Sequence, residues 1–273
     1  MISIITAIHN GIEINKVFLS FLKKNTTNPF ELIIIDNAST DGSADFFENN
    51  GAIVIRNKDN FSYPVSQNMG IKVAKTDNLF FLNNDIIVSP NWDENLLKAA
   101  EINQLEVVTS CGIERIESLK QTKKIRKKWG VIKFLLNVLP NNPRKYVLMH
   151  KFMYGNWEAF CQNRFSKFKY NVVEGFVGNT VLIKKSAIAK IGLWDEQIQA
   201  ADFDLYVRTK KRSLEVGDIK PSHIALGTFI HHFIRITVHN KPTPFVDSNN
   251  LISLEKKWGE EKLKIYLADN LST

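Results

Sequence analysis

The sequence predicts an α/β protein with a central, mostly parallel sheet flanked by helices. Three observations lead there. Over the first hundred residues, short β-rich runs alternate with helical stretches set off by polar residues. The inner strand candidates are continuously apolar, as in strands buried on both faces. Acidic and Asn-rich loops follow the strand ends, where open parallel sheets hold ligands.

Taken in order, Ile2–Ile8 is β-branched and apolar and predicts the first strand. From about Ile12 to Lys24, apolar residues recur at helical spacing, with Ile14, Val17, Phe18, Phe21 and Leu22 on one face. Leu32–Ile35 predicts a buried strand, and the polar loop Asp36-Asn-Ala-Ser-Thr-Asp-Gly-Ser43 opens a helix running to about Asn49. Ala52–Ile55 predicts a third strand, and Pro64 in a first turn begins a helix to about Ala74. Leu79–Leu82 predicts a fourth strand, ending in Asn83-Asn84-Asp85. Ser89 caps and Pro90 starts the next helix, with Asp93 and Glu94 suitably placed near its positive end.

With 273 residues, 44% of them hydrophobic, the chain can bury a large core. Two cysteines, Cys111 and Cys161, are too few for a disulfide framework and fit a reducing compartment. Met1 leads straight into the first strand without a charged leader, and no apolar run reaches membrane-spanning length, so cytoplasmic residence is expected. The net charge of +8 is uneven: residues 115–170 carry +12 and the rest −4. Three sections follow: 1–110, a basic helical insertion at 111–171, and 172–273, which resumes globular patterning.

Three segments in fixed order carry a family resemblance. The first is Ser3-Ile-Ile-Thr-Ala-Ile-His-Asn10 with Glu31-Leu-Ile-Ile-Ile-Asp-Asn-Ala-Ser-Thr-Asp-Gly-Ser43. The second is Asn68-Met-Gly70 leading to Phe80-Phe-Leu-Asn-Asn-Asp-Ile86. The third runs from Gly175 through Gly192-Leu-Trp-Asp-Glu196 to Asp202-Phe-Asp-Leu-Tyr-Val-Arg208. Together they resemble the inverting family-2 glycosyltransferases of GT-A fold, nearest to the rhamnosyltransferase-like members, over about residues 1–110 and 172–210. The resemblance implies one GT-A domain, with a nucleotide-sugar-binding half at 1–110 and an acceptor-binding and catalytic half at 172–273. It implies transfer of a sugar from a nucleotide diphosphate donor, of dTDP-rhamnose or UDP-hexose type, to a hydroxyl of a glycan or lipid-linked saccharide.

A carboxylate at a strand end can accept from an imide N–H, and the resemblance implies that Asp36 reads a uracil or thymine ring in this way, with Thr6, Ala7 and His9 lining the same pocket and Asn68 and Asn84 completing the donor site. A departing diphosphate is stabilised by a divalent cation on hard oxygen ligands, so Mg²⁺ or Mn²⁺ is expected on Asp85 and Asn83. Asn83 stands where the stricter DxD motif has a carboxylate. A late histidine completes the metal shell in some GT-A enzymes, which makes His231 or His232 a candidate, with His239 behind both; His231 is taken. Inversion needs one base, and Asp202, at the second position of the acidic ED motif, is assigned to it; Ala201 occupies the first. Asp195 and Gly178 are assigned to the acceptor side. Asp204 and Arg208, four apart, suit a helix ion pair.

Lys123-Lys-Ile-Arg-Lys-Lys-Trp-Gly-Val-Ile-Lys-Phe-Leu-Leu136 places cations ahead of apolar bulk. Within 120–136 this suits an amphipathic helix at the inner face of an anionic membrane, and a plain solvated face is the competing reading. No nucleic-acid reader motif accompanies the charge, and no nucleic acid is expected as partner. Two other functions compete with sugar transfer. A sugar nucleotidyltransferase would carry a Gly- and Arg-rich phosphate loop, and His9-Asn10-Gly11 is too sparse for one. A non-catalytic sugar-nucleotide or glycan-binding protein would account for Asn83 and Ala201.

Overall fold

The computed structural model of the chain describes residues 1–234, Ile236 and 243–271. The first part alternates β1 (Ile2–Ile8), α1 (Ile12–Asn25), β2 (Phe30–Asn37), α2 (Ser43–Asn49), β3 (Ile53–Asn57), α3 (Tyr63–Val73) and β4 (Asn78–Leu82). Strands β3, β2, β1 and β4 lie side by side in that order and run parallel. The chain thus builds outward to β3 and then crosses to the far side of β1. That switch leaves a crevice at the carboxyl ends of β1 and β4.

Beyond β4 the expectation of a mostly parallel sheet fails. After β5 (Ile86–Ile87), α4 (Trp92–Ile102) and β6 (Val107–Gly112), strand β8 (Thr180–Lys184) inserts between β4 and β6, antiparallel to both. Strand β9 (His223–His232) runs parallel to β6 and antiparallel to β5 and to β7 (Val172–Glu174). The reason is local: the backbone N–H of Asn83 bonds the carbonyl of Asn179 (3.1 Å), so β8 enters at the carboxyl edge of β4 and must run back. The sheet is therefore mixed.

Alternation along the strands sends neighbours to opposite faces. Ile4 and Phe80 pack with Phe18, Leu22 and Trp92 on one face, while Ile5 and Phe81 pack with Ala187, Trp194 and Leu205 on the other. Helices α1 and α4 cover the first face; α3, α8 (Lys185–Ile191) and α9 (Ala201–Glu215) cover the second. Helix α4 starts two residues later than expected, because Asn91 adopts a left-handed conformation (φ 56°) and leaves Pro90 in the preceding turn.

Helix α3 approaches β1 closely only because residue 70 is glycine. A Cβ there would come within 2.3 Å of Ile5 Cγ2. Gly70→Ala is expected to push α3 off the sheet and cost about 1–3 kcal/mol, as overpacking does. The measurement is a lower denaturant midpoint at unchanged slope.

The basic section folds into three helices, and its first residues still belong to β6. Helices α5 (Leu119–Leu136), α6 (Pro143–Tyr154) and α7 (Trp157–Phe168) are capped by Ser118, Asn142 and Asn156, each accepting a backbone N–H of the first turn. Their inner faces, with Trp129, Met149, Met153 and Trp157, close on Phe229 and Phe233 of the β9 region. Among the described residues no helix is long and apolar enough to cross a membrane. Cys111 and Cys161 are free and buried. At the C-terminus, α10 (Leu254–Trp258) and α11 (Glu260–Leu271) cover α9, with Leu263 against Tyr206 and Val207.

Candidate active site

At the carboxyl edge of the central strands lies a cavity of about 330 Å³ lined by Tyr63, Asn83, Glu114, Gly178, Asn179, Gln199, Ala201, Asp202 and His232. Each wall is the end of an element. Asn83 follows β4, Glu114 follows β6, Gly178 and Asn179 precede β8, His232 ends β9, and Ala201 and Asp202 open α9.

The pairing of β9 with β5 fixes which histidine reaches this cavity. Ile86 lies opposite His232 and Ile87 opposite His231, and the Phe233 N–H bonds the Asp85 carbonyl (2.9 Å). His232 Nε2 consequently lies 3.1 Å from Asp85 Oδ1, while its Nδ1 contacts the Glu114 carboxylate. Glu114 is held in turn by the Asn179 amide, which donates to Oε2 (2.9 Å). Burial opposes a charge on the His232 ring, but the Asp85 and Glu114 carboxylates outweigh it and raise its pKa well above the ordinary value. Burial would likewise raise Glu114, and the neighbouring His232 instead holds it below the usual range.

His231, assigned to the metal from sequence, points the other way. Successive strand residues face opposite sides, and His231 is fully buried among Trp129, His150, Tyr154 and Phe233. Its Nδ1 bonds the Tyr154 hydroxyl (2.9 Å), and burial drives its pKa well down. It is a core residue, and His232 takes its place at the site. His239 lies outside the described residues.

A divalent cation fits the donor set at Asp85 and His232. A cation would have to displace the proton that the raised pKa keeps on Nε2; with Nδ1 held by the Glu114 carboxylate, the ring then has the usual outer-shell arrangement of a ligating histidine. Asn83 adds an amide oxygen in the same cavity. Among the described residues no three His, Cys, Asp or Glu side chains make a ready-built metal cluster. The remaining ligands would come from substrate phosphate oxygens and water, as hard cations allow.

Asp202 and Gly178 are brought together as a pair. A Cβ on residue 178 would lie 2.4 Å from Asp202 Oδ2, so only glycine lets the carboxylate sit where it does. Burial pushes the Asp202 carboxyl up from its ordinary pKa, only partly countered by the Phe203 N–H donating to Oδ1 (2.9 Å).

The donor-side residues divide. Asp36 ends β2 at the same edge of the sheet, one strand beyond β1, so about 10 Å of strand spacing separates the β2 and β4 axes. Its carboxylate accepts only long bonds from the Ser39 N–H, at 3.3 and 3.4 Å. Ala7 lies beside Ile35 and partly buried, at the end of β1. His9 Nδ1 donates to the Asn37 carbonyl (2.6 Å), which leaves Nε2 to bond the Thr243 hydroxyl (3.1 Å). Thr243 also accepts from Asn60 through its carbonyl (2.8 Å), so the C-terminal section closes over the end of this edge.

Four assignments are corrected. The Thr6 side chain is wholly buried inside β1, and its hydroxyl oxygen faces no ligand-accessible space. The Asn68 amide is spent on the loop after α8, donating to Trp194 O and Glu196 Oε1 (both 2.9 Å) and accepting from Trp194 N–H (3.0 Å). Asn84 donates to Asn15 on α1 (2.7 Å), away from the cavity lining. Asp195 is bound to Lys257 (2.6 Å) and the Gln197 N–H (2.9 Å), and it anchors α10 instead of facing an acceptor. Asp204 and Arg208 do form the helix ion pair, at 2.8 Å.

Comparison with known proteins places this geometry. Residues 3–189, more than half of the 273-residue chain, match the family described as Glycosyl transferase family 2. Glycosyltransferase GlyG of Streptococcus pneumoniae serotype 4 is 26% identical over 113 residues, 40% of this chain and 38% of that protein. The uncharacterized glycosyltransferase EpsJ of Bacillus subtilis strain 168 is 26% identical over 126 residues, 45% of this chain and 36% of that protein. The matched region thus spans little more than a third of either relative. Among solved structures, S. aureus TarS superposes with a TM-score of 0.55 at 13% identity, over 100% of this chain and 40% of that one. Mannosyltransferase PcManGT from Pyrobaculum calidifontis, solved with GDP-Man and Mn²⁺, gives 0.56 at 11% identity over 100% and 75%. GalNAc-T7, solved with UDP, GalNAc and Mn²⁺, gives 0.63 at 15% identity over 98% and 50%. At these identities the likeness is one of fold, and that fold is GT-A-like.

Proposed function

The chain belongs to glycosyl transferase family 2, and from that premise we propose that it moves a sugar from a nucleotide diphosphate donor to an acceptor hydroxyl with inversion at the anomeric carbon. The observation that carries this reading is the meeting of Asn83, His232 and Asp202 around one cavity at the carboxyl edge of the sheet, with Asp85 3.1 Å from His232 Nε2 and Asp36 at the same edge. Asp36 binds the base of the nucleotide, with Ala7 and His9 beside it. Asp85, His232 and Asn83 hold Mg²⁺ or Mn²⁺, and Glu114 orients His232. When bound, the cation offsets the negative charge that develops on the departing diphosphate. Mn²⁺ in two of the structural neighbours supports this choice.

Asp202 removes the acceptor proton as the new C1–O bond forms and the bond to the diphosphate breaks. One base suffices for a single displacement. The donor is of dTDP-rhamnose or UDP-hexose type, and the acceptor is a glycan or lipid-linked saccharide.

A panel of UDP-, dTDP- and GDP-sugars tested by thermal shift, with and without Mn²⁺, checks the donor site. A ligand bound only to the native state stabilises it by about 2.7 kcal/mol at a hundredfold excess over Kd. One nucleotide class is expected to shift the midpoint, more so with Mn²⁺, and Asp36→Ala is expected to remove that shift. No shift with any member, in folded protein, would favour a degenerate or purely glycan-binding role.

A further inference from the structure

The packed side of the basic insertion leaves an open groove on its outer side. Its volume is about 760 Å³, within the range of small-molecule sites. The walls are Ile125, Val131 and Ile132 of α5, Phe152 of α6 and Phe160 of α7, over a floor at Phe229 of β9. This apolar surface is uncovered: Val131 is 52% and Phe152 59% exposed, and beyond them Phe134 is 80% exposed. Contiguous exposed apolar surface of this kind marks a binding site more often than bare surface.

The cations are arranged on the same groove. Lys124 lines it one helical turn before the adjacent Lys127 and Lys128 on α5. Lys128 is tied to the Met153 carbonyl, and Arg164 is paired with Glu117 at 2.9 Å. Lys124 and Lys127 are exposed, and among the described residues neither makes an ion pair. No acidic residue lies on α5. Along that helix the cations therefore come first and the bare apolar residues follow. A merely solvated charged face needs no apolar trough beside it, and a nucleic-acid backbone has no use for one.

We propose that this groove binds one molecule of a single-chain anionic amphiphile, its hydrocarbon chain against Ile125, Val131, Phe152 and Phe160 and its phosphate headgroup between Lys124 and Lys127. The assignment rests on the sugar-transfer reading only in making such a lipid the acceptor's carrier; the binding itself does not depend on it.

The test uses the full chain and n-dodecyl phosphate below its micelle concentration, followed by titration calorimetry. Binding is expected to tighten about fourfold per added methylene (~0.8 kcal/mol) across decyl, dodecyl and tetradecyl phosphates. Dodecyltrimethylammonium and inorganic phosphate are expected to bind at least about tenfold more weakly, since one lacks the charge match and the other the chain. Val131→Glu and the pair Lys124→Glu with Lys127→Glu, all at exposed positions, should each reduce affinity while the melting temperature holds. Absence of chain-length dependence, equal binding of the cationic amphiphile, or indifference to both variants would overturn the proposal. So would adsorption to phosphatidylglycerol vesicles with no binding of monomeric dodecyl phosphate, which would make α5 a membrane-surface patch. UDP-sugar binding with Mn²⁺, measured separately on the same protein, tells failure of the groove from failure of the transfer site.

Discussion

Replacing Asp202 by Asn is expected to lower sugar transfer about 10²–10⁴-fold, the usual contribution of a positioned general base, while donor binding stays intact. Asn keeps the shape and the bond from the Phe203 N–H but cannot take a proton. The carboxyl's raised pKa sharpens the test. Transfer should be lost as pH falls through that raised value, because only the ionised form accepts the acceptor proton. The sign for stability is opposite. A carboxyl whose folded pKa exceeds its unfolded one loses stabilisation as pH rises between the two, so the ionised group is a burden on the fold at neutral pH. Asp202→Asn should therefore melt no lower than the parent at pH 7. Gly178→Ala should likewise lower transfer, since its Cβ would strike Asp202 Oδ2 at 2.4 Å and displace it, but unlike Asp202→Asn it should also lower the melting temperature. Equal loss of donor binding and transfer in Asp202→Asn would remove the assignment.

The histidine pair yields the second large effect. His232→Ala and Asp85→Ala are each expected to abolish the Mn²⁺-dependent part of nucleotide binding, because they are the paired groups at 3.1 Å. Glu114→Gln, which only holds the ring, should weaken Mn²⁺ affinity by about 10–100-fold, the range for an outer-shell partner. His231→Ala should leave Mn²⁺ affinity unchanged and lower the melting temperature, since that ring is packed against Trp129 and Phe233 and bonded to Tyr154. Titration of Mn²⁺ in the presence of UDP, followed by its electron paramagnetic resonance signal, reads all four. The reverse pattern, with His231 controlling the metal, would show that the β5–β9 register has been misassigned.

Much of the parallel part of the fold was legible because its signals are local. The run Leu32–Ile35, the polar loop from Asp36 to Ser43 and Pro64 in a first turn each announce an element within a few residues. Asp36 and Asp85 could be placed for the same reason, since strand-end carboxylates follow from element boundaries alone. What sequence missed depends on pairings between distant segments. The antiparallel entry of β8 is set by Asn179 against Asn83, and Glu114 belongs to the site only because β6 lies beside β9. Alternation says that His231 and His232 face opposite ways, but not which faces the cavity; the register of β5 on β9 decides that. Asn68 and Asp195 carry the side chains of a binding site, yet partners 126 and 62 residues away consume them. The clue that could have identified His232 is the company of its neighbour: Phe229, His231 and Phe233 share one strand face, and an all-aromatic face is a core face.

Inverting transfer from a nucleotide-sugar is tested most directly by proton NMR of an α-linked donor incubated with the protein, an acceptor glycan and Mn²⁺, with any sugar released by hydrolysis read before it can mutarotate. The expected result is a β-configured product and free nucleoside diphosphate, both absent with Asp202→Asn. An α-configured product, or no consumption of any UDP-, dTDP- or GDP-sugar by folded protein across a panel of acceptor glycans, would contradict the assignment of this cavity.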